Sequence, residues 1–251
     1  MDILERSHSI GILREDLIRQ GLTLELVEDY SRISEMMELS GKDHLSPFTS
    51  PEFNDFTAGN CIWLCLHDAD GPVVMGAARL EDLRGETLDR YWPRIFRRGY
   101  LDGGMQRIEN VSPAISSVVQ GRLVYFGDLF VAKRLRPSLV ILQSFTAIGH
   151  LLCSLKWEPD WIYCFLRRRD AARGAAFQYG FSVVERQPYR WVGDPPEGRS
   201  NDECAAFLPA RSLEGSVRSV IEVVQSGKGG PLSAEAIIER KGSSRTVGEA
   251  S

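Results

Sequence analysis

Asp128 is the one acid in LVYFGDLFV (123–131), a run that otherwise seeks burial. A carboxylate removed from water takes up a proton more readily, which is what a general base must do. Gly127 just before it removes a side chain, which permits a bulge that would turn the carboxylate out of the sheet. The competing reading is a structural ion pair with Arg122, Lys133 or Arg134. A few residues on, Arg136 and Ser138 flank Pro137 at the start of an apolar run. Ser138 suits an N-cap, and a helix start beside an arginine suits phosphate. A plain cap explains the same residues. Arg167, Arg168 and Arg169 close the segment DWIYCFLRRR, where they fit phosphate, an acidic carrier protein or simply solvent. Tyr163 and Tyr179 offer hydroxyls that could protonate a leaving group, or they are buried aromatics. His8, His44, His67 and His150 are scattered, and no histidine–cysteine cluster has zinc-ligand spacing, so no metal is expected.

These residues need elements to hold them. The segment 122–136 is apolar on both alternating faces and predicts a central strand. A helix follows over 138–156, apolar nearly all round except for Gln143, Thr146, His150 and Ser154, a pattern that fits burial between layers. Another buried strand is predicted over 160–169, then a short helix ending at Gly180-Phe181, then a strand. Upstream, 21–29 reads as a strand and 30–41 as a helix that stops at Gly41. Residues 44–59 read as a loop with room for one short helix, and 60–82 as a hairpin around Asp-Ala-Asp-Gly. A last strand is expected within 201–213 and a helix over 212–225. Residues 84–120 mix arginines with aromatics and read as an insertion. They form either a partly helical flap with a solvated basic face or a surface that stacks bases. The order gives an α+β fold on a mixed sheet. The expected organisation is an N-terminal helical extension (1–20), a main domain (21–213) and a C-terminal helix with a flexible tail (214–251).

Composition narrows the function classes. The 251 residues carry a net charge of −4, which argues against a nucleic-acid role. Five cysteines, most of them inside apolar runs, suggest buried reduced thiols and a cytoplasmic setting. Cys61 and Cys65 would face one side of a strand as core residues. The first twenty residues carry charges throughout, unlike a secretory leader. The longest apolar stretch, 139–155, contains polar residues and reads as a core helix, so no membrane span is expected.

The order of elements, together with LFVAKRLRPSLVI, DWIYCFLRR and DAARGAAFQYGFSVVE, resembles the GNAT (GCN5-related N-acetyltransferase) superfamily over roughly residues 20–210. The resemblance implies a splayed mixed sheet and an N-acyltransferase. Such an enzyme moves an acyl group from acyl-coenzyme A or acyl carrier protein to an amine of a small molecule or protein. It also implies donor contacts at Phe130 and Val131 on the central strand and at Arg136, Ser138 and Leu139 in the pyrophosphate loop. Asp128, Tyr163 and Tyr179 become the acid–base candidates. The sequence departs from the family in two places. Leu139 and Ile141 stand where the loop has small residues, and Ala176 stands where the family often has a tyrosine. The acyl-homoserine-lactone and long-chain N-acyl synthase branch also relaxes this loop, and some of its members take acyl groups from a carrier protein. The departures keep a second class open, a protein of this fold that binds a ligand or partner without catalysis.

Overall fold

Alternation of side chains along each strand sorts the core residues onto two faces of one sheet. The computed structural model describes residues 1–100, 107–133, 135 and 139–226. The helix α1 (Ile3–Arg19) leads into β1 (Thr23–Val27) and, after a short 3-10 turn, α2 (Ile33–Ser40), which ends on Gly41 in the left-handed region. The hairpin of β2 (Cys61–Asp68) and β3 (Gly71–Asp82) follows, and then α3 (Leu88–Gly99), β4 (Arg107–Glu109) and α4 (Pro113–Ser116). The central strand is β5 (Arg122–Val131), and the long helix is α5 (Leu139–Trp157). The chain continues through β6 (Trp161–Leu166), α6 (Arg168–Ala172), α7 (Ala175–Gln178) and β7 (Val183–Arg186). It ends with β8 (Arg190–Val192), β9 (Cys204–Pro209) and α8 (Leu213–Gln225).

Seven strands form the main sheet in the order β1-β2-β3-β5-β6-β9-β7, and β4 pairs with β8 in a separate ribbon. All main-sheet pairs are antiparallel except β5–β6. One face buries Ile62, Leu64, Val124, Phe126 and Ile162 beneath α5, with α1 and α8 packed alongside. The other face carries Cys61, Trp63 and Cys65 toward α2, and Tyr125, Tyr163 and Phe207 toward α3 and the ribbon. Burial pushes the Cys61 and Cys65 thiols up to about 12, as expected of core residues. All five cysteines are buried and free. Helix α5 is long and apolar enough to cross a membrane, yet it is mostly buried within the fold.

The stretch 84–120 is partly helical with a solvated basic face, as expected, but it is no flap. Leu88, Tyr91, Trp92 and Phe96 recur at helical spacing and close the aromatic half of the core, leaving the arginines outside. The rings of Tyr91, Trp92 and Phe96 are therefore not available to stack bases. The first helix buries Leu13 and Leu17 fully in the main cluster, against α5.

Candidate active site

Strands β5 and β6 run parallel for only three pairs, Leu123–Trp161, Val124–Ile162 and Tyr125–Tyr163. Beyond Tyr125 they part, as the resemblance implied. From Phe126 on, β5 remains bonded to β3 alone, while β6 stays with β9. The backbone of β5 facing the gap is thus free to bond an extended ligand in the manner of an added strand. At the point of parting the register slips. Ala77 opposes Gly127 and Met75 opposes Phe130, so Gly76 faces both Asp128 and Leu129. This is a bulge on β5, and Asp128 occupies it at φ +55°, a conformation that non-glycine residues rarely adopt. Gly127 has a steric reason to be glycine. A Cβ there would sit 2.4 Å from the Tyr125 ring.

The loop after α2 grips the Asp128 carboxylate. The Ser46 backbone N–H donates to both oxygens at 3.1 Å, the Thr49 hydroxyl donates to Oδ2, and the Lys42 ammonium lies 3.0 Å from Oδ1. Both charged side chains are nearly enclosed. Among the described residues the ion-pair partner is therefore Lys42, which the sequence did not suggest. Arg122 instead donates to the Glu158 carbonyl at 3.1 Å. Backbone strain at a held, polar side chain inside a cleft is a recurrent mark of functional sites.

Two cavities meet at Asp128 and His44. One, about 710 Å³, is the gap between the splayed strands, lined by Tyr125–Leu129 and Val131 from β5, Cys164–Leu166 from β6, Thr146 from α5, and Tyr179. The other, about 680 Å³, lies on the far side of Asp128 and is lined by residues that include Ser46, Phe53, Tyr100 and Arg199. The first has the apolar walls an acyl chain needs, with Lys42 and Arg167 at its polar edge.

The predicted residues divide. Asp128, Tyr179, Val131 and Leu139 all line the first cavity. Burial raises the Tyr179 phenol above its usual value, and the Asp170 charge adds to this. Tyr163 belongs elsewhere. It is fully buried on the opposite face and donates to Glu81 Oε2 at 2.8 Å, within a network where Arg79 bonds Glu81, Asn54 and the Phe48 carbonyl. Strand alternation explains the misplacement, since Cys164 takes the cleft side. Phe130 does not line the cavity either and packs into the core clusters. Ile141 is buried in the core. Arg136, Ser138 and Arg134 lie outside the described residues. Arg168 and Arg169 sit 3.6 Å from Asp202 and Asp170 respectively. Ala176 is buried and Phe177 points to solvent, so neither offers a hydroxyl in the family's tyrosine position. Gly180 ends the short helix at φ +87°, where a Cβ would meet the Ser216 hydroxyl at 2.7 Å, and Phe181 returns to the core.

Sequence reasoning missed Lys42, His44, Ser46, Thr49 and Arg199. Serine, threonine and proline in HLSPFTSP mark a turn, but nothing in their spacing points to a strand some eighty residues away. Among the described residues, no group of three or more histidines, cysteines or acids could hold a metal.

No protein-family model matches the chain, and no curated protein matches it by sequence. Solved structures do resemble it. NAA60 of Arabidopsis thaliana, in complex with acetyl-CoA, is similar at 12% identity with a TM-score of 0.43, covering 75% of this chain and 98% of that one. FeeM, an N-acyl amino acid synthase from uncultured soil microbes, is similar at 12% identity and TM-score 0.36, covering 85% and 95%. BjaI, a CoA-dependent acyl-homoserine lactone synthase, is similar at 14% identity and TM-score 0.41, covering 85% and 92%. At these identities and scores the similarity bears on neither activity nor substrate.

Proposed function

We propose that the chain is an N-acyltransferase that moves an acyl group from a thioester, acyl-coenzyme A or acyl carrier protein, to an amine. The observation that carries this reading is the position of Asp128, shared by the cleft between the splayed strands and by the second cavity. A thioester laid along the free backbone of β5 and an amine entering from the other side would meet beside it.

The chemistry then follows from the groups present. The acceptor ammonium takes the place of Lys42 at the Asp128 carboxylate, which aligns the nitrogen and receives its proton. The free amine attacks the thioester carbonyl, a C–N bond forms and the C–S bond breaks. The departing thiolate takes a proton from the Tyr179 hydroxyl, which burial holds above its usual value, and the second proton lost by the attacking nitrogen as the amide forms restores that phenol. His44, which borders both cavities, gives the proton on Asp128 a path to solvent. A carrier donor would meet Arg167 at the cleft mouth, and Arg168 and Arg169 beside it, so its affinity would fall as salt rises.

Release of free thiol from acyl-coenzyme A and from acyl carrier protein, with and without added amines, tests the reading. Amine-dependent release supports it. Donor binding by calorimetry with no release under any acceptor would favour a ligand-binding protein of this fold instead.

A further inference from the structure

The second cavity is lined in part by Arg199, which the acyl-transfer reading leaves without a role. Its guanidinium belongs to the segment between β8 and β9, and only 11% of the side chain is exposed. One edge is committed, with Nη2 lying 2.9 Å from Glu203 Oε2 and donating to the Tyr189 hydroxyl. The Nε–H is buried and has no hydrogen-bond partner among the described residues. Rings of Phe48, Phe96, Tyr100 and Phe165 stand with their centroids 5.0–5.8 Å from the guanidinium carbon. Such a box keeps water away from the guanidinium, so a charged group reaching Arg199 through the cavity would meet it largely desolvated. Burial holds the Glu203 carboxyl above the usual carboxylate range, against the pull of the Arg199 charge.

Asp128 lines the same cavity. Tyr100 and Tyr125 each lie within electrostatic reach of both Asp128 and Arg199, so a carboxylate and a guanidinium flank one pair of rings. We propose that this cavity takes an acceptor with a carboxylate beside its amine, an amino acid, whose carboxylate docks on Arg199 while its amine meets Asp128. The proposal rests on the acyl-transfer reading. A planar carboxylate matches the fork of a guanidinium. Glu52 and Glu197 also line the cavity, which disfavours a dianionic phosphate, whereas an amino acid brings its own compensating ammonium. Arg199 itself disfavours a simple polyamine. Leu45, Phe53 and Tyr100 give the remaining wall an apolar and aromatic surface for the amino-acid side chain.

The test compares the twenty amino acids with their C-terminal amides as acceptors, reading thiol release from octanoyl-coenzyme A and octanoyl carrier protein. The amide keeps the amine and loses the negative charge. Its amine is also less basic, so any bias runs against the proposal. The expected result is that at least one apolar or aromatic amino acid exceeds its amide by about ten- to a hundredfold in kcat/KM, the range for one charge-assisted bond. In Arg199→Gln that preference should fall to within about threefold, and Arg199→Lys, which keeps the charge without the fork, should retain part of it. The wild-type comparison stands alone if Arg199→Gln does not fold. Amides or simple amines reacting as well as acids would overturn the proposal and leave acyl transfer intact. Absence of thiol release with every acceptor would overturn both.

Discussion

Asp128 is where the account can be tested most sharply at the scale of single residues. Asp128→Asn keeps an oxygen for the Ser46 N–H while removing the charge that faces Lys42. Turnover should fall at least about a hundredfold, the low end for a general base, with donor affinity by calorimetry little changed. Wild-type turnover in this variant would reduce Asp128 to an anchor for the loop after α2. The two tyrosines should separate cleanly. Tyr163→Phe removes the donor to buried Glu81 and should cost about 1–3 kcal/mol in urea unfolding while leaving turnover nearly unchanged. Tyr179→Phe should do the reverse, lowering turnover with little effect on stability. Asp128 was legible because an acid in an apolar strand has few structural reasons to be there. Its grip by Lys42, Ser46 and Thr49 was not legible, because those contacts span 79 residues or more of chain and depend on how the loop folds back.

The bulge on β5 is the element that converts a strand residue into a cleft residue. Gly127→Ala would drive a methyl into the Tyr125 ring, so it should destabilise the protein by at least about 1 kcal/mol, as overpacking does. It should also lower turnover through Asp128, which a comparison of the urea midpoint with kcat resolves. An unaltered midpoint would mean that the bulge is more pliable than its geometry implies. The strands and the helix α5 were readable because apolar residues on both faces of a segment leave burial as the only outcome. That the aromatic side of α3 belongs to the core was missed, because its arginines mask the amphipathic pattern. The departure of β8 from the main sheet to pair with β4 had no local signal, since a three-residue strand carries too little pattern to choose its partner.

The molecule as a whole encloses one histidine in an apolar setting, with a consequence for its stability. His150 lies edge-on between Phe126 and Phe181, and burial lowers its imidazole to about 3. Because the folded value lies below the unfolded one, its contribution is complete above about pH 6.5 and is lost as pH falls toward 3. Between pH 8 and pH 5 the loss should amount to about 2 kcal/mol, before most carboxylates titrate. Glu203, raised by burial, works in the opposite direction and contributes at low pH. The difference between wild type and His150→Phe, followed by urea unfolding across that range, isolates the histidine, and parallel pH profiles would refute its assignment. On the same scale, two core faces flank an open seam between β5 and β6, where the proposed reaction site lies. The most direct test of that claim follows the acyl group itself, by incubating isotope-labelled acyl donors with amine acceptors and measuring the products by mass spectrometry. The account predicts label on the acceptor nitrogen, one amide per thiol released, and little of it with Asp128→Asn. Labelled free acid without amide, or no release of thiol from any donor by the folded protein, would contradict it.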